Sequence, residues 1–201
     1  MRLILTTAPT EEPITLAEAR LHLRVDPDTT TEDALIQGWI TSSRIEAERA
    51  MGRVLVTQTW TAKYDRFPGY SSSDPYFPAY SELRLPYPPL ISVTSIKYID
   101  PDGVLQTFTA ASYVVDTSGV QGRVYLAYGE SWPSIRIEPN AVRVEYVAGY
   151  GDASAVPEDV RSWMLLRVGE RYEHREGLVV GTIATRLPGL ESLVAGDRIG
   201  F

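Results

Sequence analysis

The longest pattern of hydrophobic and polar positions lies between residues 31 and 52. Apolar and small side chains recur there at steps of three and four residues, which places them on one face of an α-helix. Thr31 is predicted to cap the start of this helix and Gly52 to end it. Because such a helix cannot cover its apolar face alone, the pattern predicts the core helix of a domain. The predicted face consists of Leu35, Ile36, Trp39, Ile40, Ser43, Ala47, Ala50 and Met51.

Two further segments have helical spacing. Thr15 and Glu18 have the spacing of a capping box, which predicts a short helix over residues 16–23. Pro157 suits the first turn of a third helix, which is predicted to run to about His174. We expect the third helix to pack against the 31–52 helix, so the helical region is predicted to be discontinuous in sequence.

Between the helices the period of the pattern changes to two. Alternation over residues 54–65, with aromatic and β-branched side chains, predicts a strand. A turn at residues 100–103 and several short alternating segments predict an antiparallel sheet or a small barrel. These segments cover residues 93–99, 104–108, 113–116, 123–128 and 141–148, with a short edge strand at 83–85 and an extended strand or arm in residues 1–12.

Residues 67–90 interrupt the strands with six prolines and four tyrosines. Long loops without regular structure are more often functional than idle, and disordered segments are usually poor in aromatic residues. The loop is therefore a candidate contact surface. Its candidate contact residues are Tyr70, Tyr76, Phe77, Tyr80 and Tyr87.

The order of the elements predicts an α+β fold with three parts. The N- and C-terminal helices are predicted to form a helical bundle from residues 1–53 and 151–189. An antiparallel β region over residues 54–150 is inserted between them. Residues 190–201 are apolar and broken by glycine, with one short helix predicted near 190–194, so we expect this tail to dock on a partner.

Composition narrows the possible functions. The chain has 201 residues, no cysteine and a net charge of −7. The absence of cysteine removes disulfides and thiol chemistry. The acidic balance disfavours a broad nucleic-acid-binding surface, and the basic residues are scattered along the sequence. No run of residues reaches the length of a signal peptide or a membrane span, so a cytoplasmic protein without membrane contact is expected.

Candidate catalytic residues are few. His22 and His174 lie on different predicted helices, and no nucleophile accompanies them. No nucleophile elbow, phosphate-binding loop or paired-histidine spacing is present. Asp100 and Asp102 precede Gly103 as in a calcium loop, but the later acidic ligands are missing, so a turn is predicted. The sequence therefore predicts no enzyme, no metal and no cofactor.

Charged residues on the third helix form one distinct pattern. Arg167, Arg171 and Arg175 recur every four residues and share a face, with glutamates beside them. A solvated charged face and a subunit contact are both compatible with this spacing.

Two blocks of the sequence carry a family resemblance. PITLAEARLHLRVD (13–26) is followed by EDALIQGWITSSRIEAERAMGRVLVTQTW (32–60). VEYVAGYGDASAVPEDVRSWMLLRVGERYEHREG (144–177) adds a strand, an AGYG turn, a Val-Pro helix start and a Tyr-Glu-x-Arg helix end. Together these blocks resemble the head–tail connector (adaptor) family of long-tailed bacteriophages and phage-like gene transfer agents.

The resemblance implies a structural protein of the virion. Members of the family form a dodecameric ring below the portal protein, at the head–tail junction, after assembly in the host cytoplasm. The ring extends the DNA channel, through which DNA passes without specific binding, and carries the stopper or tail-completion protein. No cofactor is implied.

The resemblance also assigns contact residues. The helical part is expected to form the ring wall, with Arg167, Arg171 and Arg175 meeting Glu46 or Glu48 within or between subunits. The β region and its loop are expected to lie outside that wall. The C-terminal tail is expected to reach the portal through Leu190, Leu193, Val194, Arg198, Ile199 and Phe201.

Two other functions compete with the connector. The aromatic loop is compatible with a carbohydrate- or host-binding accessory module of a virion. A small hydrolase is the third possibility, and its activity would depend on His22 or His174.

Overall fold

The computed structural model describes residues 1–26, 28–68 and 82–175. Three α-helices and antiparallel sheets make up these ranges, so the fold is mixed α+β. The chain divides into two compact units. We define the sheet unit as the described part of 1–9 and 57–149, and the helical unit as the described part of 10–56 and 150–175.

The sheet unit contains two antiparallel sheets. A five-stranded sheet has the order β1-β2-β8-β4-β5, and a three-stranded sheet has the order β3-β7-β6. The strands are β1 (Arg2–Thr7), β2 (Gln58–Tyr64), β3 (Leu83–Arg84), β4 (Leu90–Ile99), β5 (Leu105–Phe108), β6 (Tyr113–Asp116), β7 (Arg123–Leu126) and β8 (Val142–Ala148).

One face of the five-stranded sheet covers an apolar core. On the central strand β8, Val142, Val144 and Tyr146 are fully buried, and the residues between them are partly exposed. The Tyr146 hydroxyl donates a hydrogen bond to the Pro86 carbonyl at 2.7 Å, so this buried polar group is satisfied. The alternation predicted over residues 141–148 is therefore confirmed.

The helical unit packs three helices around a core of its own: α1 (Leu16–Leu23), α2 (Asp33–Met51) and α3 (Glu158–Glu173). The predicted capping box is confirmed, because the Thr15 hydroxyl accepts from the Glu18 amide at 3.1 Å and the Glu18 carboxylate accepts from the Thr15 amide at 2.6 Å. The buried core consists of Ile14, Ala19, Ile36, Ile40, Ala47, Met51, Leu55, Val56, Val156, Val160, Trp163, Met164 and Val168.

The predicted start of α2 is wrong by one residue. The helix begins at Asp33, and Thr31 is not its N-cap. The Asp33 amide donates to the Thr30 carbonyl at 3.2 Å, which closes a turn before the helix. Glu32 takes the cap position without a side-chain cap hydrogen bond, because its carboxylate binds Tyr172 of α3 and Arg175 just after that helix.

The strand predicted over residues 54–65 is also shorter than expected. Val54, Leu55 and Val56 are all buried, so the in–out alternation fails there and β2 begins at Gln58. Residues 1–9 differ from the expected division as well. They form β1 and belong to the sheet unit, because β1 pairs with β2 along most of its length.

Candidate interaction surfaces

The arginine stripe of α3 faces a carboxylate of α2. Nη2 of Arg167 lies 2.6 Å from Oε1 of Glu46, and Nη2 of Arg171 lies 2.9 Å from Oε2 of the same residue. Because the two arginines are one helical turn apart, both reach a single carboxylate. Each oxygen of Glu46 thus accepts a charge-assisted hydrogen bond, which ties α3 to α2 within the chain.

A second cluster joins the same two helices near the start of α2. Nη2 of Arg175 lies 2.5 Å from Oε1 of Glu32, and the Tyr172 hydroxyl donates to Oε2 at 2.9 Å. Trp39 meets Tyr172 edge to face with ring centroids 6.0 Å apart, and the Arg175 guanidinium lies 5.1 Å from the Tyr172 centroid. The cluster therefore combines an ion pair with aromatic and cation–π contacts.

Glu48 has a different set of partners. Its Oε2 lies 2.8 Å from Nη1 of Arg44, and its Oε1 accepts from the Leu55 amide at 3.1 Å. Arg44 also binds Glu12 at 2.8 Å. The structure therefore places Glu46, but not Glu48, with Arg167 and Arg171.

The buried Arg44 is a site that the sequence interpretation missed. Its side chain is only 8% exposed, and two carboxylates compensate its charge. Arg44 follows Ile40 by four residues and precedes Ala47 by three, so it stands in the apolar stripe of α2. A cation in such a stripe is the signal that predicts a buried ion pair.

The loop and tail residues lie mostly outside the described residues. This holds for Tyr70, Tyr76, Phe77 and Tyr80, for the helix predicted near 190–194, and for the tail residues Leu190, Leu193, Val194, Arg198, Ile199 and Phe201. Tyr87 is described, and its ring lies 5.1 Å from that of Trp60 on β2. Its side chain is therefore partly committed to packing within the sheet unit.

The described residues contain neither a metal-binding cluster nor a helix that could span a membrane. Within 1–26, 28–68 and 82–175, no group of three or more acidic or histidine side chains is placed to hold a metal ion. The helices of those same ranges fall short of the length and apolar character that a bilayer crossing requires. The carboxylate of Asp100 accepts from the amides of Asp102 and Val104, as expected for a turn.

Comparison with known proteins gives a result at the level of fold. No family model matches the chain, and no curated protein matches it. Solved structures of gene transfer agent (GTA) particles do match over its whole length. At identities below 25%, this likeness shows a shared fold.

Three of these matches come from particle structures. A chain from the neck of an empty GTA particle, computed with C6 symmetry, is 23% identical with a TM-score of 0.77. A chain from the virion of a native GTA particle is 22% identical with a TM-score of 0.77. A chain from the neck of a native GTA particle, computed with C12 symmetry, is 20% identical with a TM-score of 0.72. Each match covers 100% of this chain and 97% of the other.

Removing the Glu46 carboxylate is expected to loosen α3 from α2. We expect Glu46→Ala to lower the free energy of unfolding by about 1–2 kcal/mol, because two partly buried guanidiniums lose a shared charged acceptor. The matched control is Glu170→Ala, which removes an exposed carboxylate that pairs with Arg167 inside α3. The control substitution is expected to lower the free energy of unfolding by about 0.5 kcal/mol or less. Chemical denaturation measures both values, and equal losses would contradict the shared role of Glu46.

The Glu32 cluster predicts a dependence of stability on pH. The hydrogen bond from Arg175, followed by that from Tyr172, holds the pKa of Glu32 below its ordinary value of 4.5. A lowered pKa in the folded state stabilises the protein above the unfolded-state pKa, and this contribution is lost as the pH falls through the folded-state pKa. The stability difference between wild type and Glu32→Gln should thus be constant near neutral pH and shrink below about pH 4.5. Glu173→Gln is the control, and a difference that grows on acidification would refute the assignment.

Proposed function

We propose that the chain is a structural head–tail connector (adaptor) subunit of a virion or gene transfer agent particle. The observation that carries the proposal is the match to chains of GTA particle necks over 100% of this chain and 97% of theirs. The two sequence blocks that resemble the connector family support the same proposal independently of the coordinates.

In this proposal the subunits form a ring between the portal protein and the stopper or tail-completion protein. The helices form a bundle that builds the ring wall, and twelve copies complete it. The C12 symmetry used for one of the matched necks supports that number. The wall surrounds the passage for DNA. A net charge of −7 on every copy would keep a DNA duplex from adhering to the protein.

The contacts of Arg167 and Arg171 with Glu46 are proposed to contribute to the subunit boundary as well as to the fold. Glu46 is 37% exposed while it binds two arginines, so its carboxylate remains reachable by a neighbouring copy. Glu48, Arg167, Arg171 and Arg175 belong to the same proposed boundary. Tail residues 190–201 are proposed to dock on the portal, and loop residues 67–90 on a neighbouring copy or the next ring.

The test is attachment of the chain to its portal protein, imaged by electron microscopy. The full chain mixed with the portal should add a ring of density at the portal's tail-side end. A chain lacking residues 190–201 should fail to attach while keeping its circular dichroism spectrum. Absence of the ring with the full chain would overturn the connector proposal, and unchanged attachment of the shortened chain would overturn the role of the tail.

The carbohydrate-binding alternative gains no support from the described residues. Its one described aromatic residue, Tyr87, packs on Trp60. No observation on the described residues favours the hydrolase alternative either. We therefore retain the connector as the single proposed function.

A further inference from the structure

Four cationic side chains stand next to one another across the five-stranded sheet. Arg2 on β1 is opposite Lys63 on β2, which is opposite Arg143 on β8, which in turn is opposite Lys97 on β4. Residues directly opposite one another in a sheet project from the same face. We define these four residues as the basic row. With strands about 4.8 Å apart, the row extends for about 14 Å.

The basic row takes part in no ion pair within the described part of the chain. None of its four members forms a salt bridge there, although the chain has a net charge of −7. Nε of Arg143 is buried and has no hydrogen-bond partner among the described residues. Like charges placed directly opposite one another destabilise a sheet. A row that opposes folding and leaves a buried donor unsatisfied indicates an anionic partner.

The face that carries the row is also shaped for a protein partner. A shallow groove of about 300 Å³ lies over Lys63, Lys97 and Arg143. Ile4, the half-exposed Leu105 and one carboxylate, Glu145, line the same groove, so three of its four charged side chains are cationic. Cations bordered by aliphatic side chains match a surface that presents carboxylates together with apolar groups. Duplex DNA presents a dense line of phosphates, and the net charge of −7 on the chain disfavours its binding.

The distribution of charge along the chain identifies a partner of suitable chemistry. The described sheet unit carries eight Asp and Glu residues against eight Lys and Arg residues, so its net charge is zero. The described helical unit carries fourteen against nine, a net charge of −5. A second copy of this chain therefore supplies an acidic surface that complements the basic row. Exposed carboxylates of that unit include Asp26, Asp28 and Glu158.

We propose that the basic row docks on the acidic helical unit of a neighbouring copy. This proposal rests on the ring-forming function proposed above and identifies one surface through which the ring closes. The contact joins different surfaces of the two copies, and a contact of this type closes into a ring when the rotation between copies permits. The aliphatic rim excludes water around the charges, which strengthens their attraction.

The small number of lysines in the chain makes the contact directly measurable. Lys63 and Lys97 are the only two lysines among 201 residues, and both belong to the basic row. Carbodiimide coupling, which joins an amine to a carboxylate without a spacer, therefore reports on this surface. In portal-bound rings assembled from equal amounts of ¹⁴N- and ¹⁵N-labelled chain, we expect mixed-isotope links from these lysines to carboxylates in 10–56 or 150–175. The α-amino group of Met1 is distinguished by peptide mapping.

The results separate this proposal from the connector function. If no ring forms with wild type, the proposed function fails. If rings form and both lysines still react with an amine reagent at the rate seen in the free chain, the connector stands and the docking proposal is overturned. Lysine protection that requires added duplex DNA would also overturn it, in favour of a nucleic-acid surface. Mixed-isotope links would support it.

Charge reversal provides an independent test. We expect the double variant Arg143→Glu, Lys97→Glu to reduce ring formation at least tenfold. The control reverses two other cations of the sheet unit, Arg66 and Arg136, and should assemble like wild type. Folding is checked with Arg143→Thr, which removes repulsion across β8 and should unfold at a temperature no lower than wild type. Normal assembly of the double variant would overturn the proposal.

Discussion

Replacing Ile40 with alanine is expected to lower the free energy of unfolding of the helical unit by about 3 kcal/mol. Ile40 is fully buried in the core shared by α1, α2 and α3. The substitution removes three carbon atoms from a tightly packed site, so transfer free energy is lost and a cavity is left behind. This is one of the two largest effects that we predict for the chain.

Leu35, five residues before Ile40 in α2, gives a matched control. Leu35 lies on the same helix and is 44% exposed, so Leu35→Ala should cost about 0.5 kcal/mol or less. Because the chain has two compact units, one unfolding curve does not assign a loss to either of them. Amide hydrogen exchange shows which unit loses stability, and Ile40→Ala should accelerate exchange in α2 and α3. Similar losses for the two variants would contradict the packing that we describe for α2.

Replacing Gly122 with alanine is expected to destabilise the sheet unit by about 2 kcal/mol. A Cβ atom at Gly122 would lie 2.3 Å from Cδ2 and 2.5 Å from Cβ of Leu90. A different rotamer of Leu90 relieves the first overlap but not the second, because Cβ is fixed by the backbone of β4. The backbone must therefore shift at a point where the Leu85 amide donates to the Gly122 carbonyl at 2.9 Å.

A second glycine in the same stretch provides the comparison for Gly122. At Gly119 an added Cβ would meet the Gln121 carbonyl oxygen at 3.5 Å, an ordinary contact. Gly119→Ala should leave stability within about 0.5 kcal/mol of wild type. Hydrogen exchange of β4 and β7 measures both variants, and a harmless Gly122→Ala would show that β4 lies farther from Gly122 than described.

Local signals predicted much of the fold correctly. The capping box of Thr15 and Glu18 placed α1 at its observed bounds, because the start of a helix depends on groups within one turn. The strand over residues 113–116 was also predicted at its observed bounds, and 141–148 was one residue too long. Alternation is reliable in β8 because one face of that strand is buried and the other is partly exposed.

Tertiary contacts explain where the local signals failed. Thr31 is a good capping residue by type, but α2 starts later because Glu32 is held by Arg175 and Tyr172, more than 100 positions away. Leu55 and Val56 are likewise buried in a core that includes Val156 and Trp163, which are distant in sequence. Single-sequence patterns do not contain this information.

The candidate surfaces were predictable to different degrees. The arginine stripe of α3 follows from a four-residue spacing, and Glu46 was among the acceptors considered for it. The basic row was missed, since Arg2, Lys63, Lys97 and Arg143 look scattered in the sequence. Only the register of β1, β2, β8 and β4 brings them side by side, and register depends on pairing between distant segments.

The backbone passes between the two units three times, near residues 9, 56 and 149. As the chain leaves the ribosome, every strand of the sheet unit is available before α3 has been synthesised. Of the two helices that pack against α2, α3 is therefore synthesised last, after the intervening strands have had time to fold. We expect nascent chains ending near residue 149 to contain a protease-resistant sheet unit and an unprotected α2, which makes synthesis of α3 the step that completes the molecule.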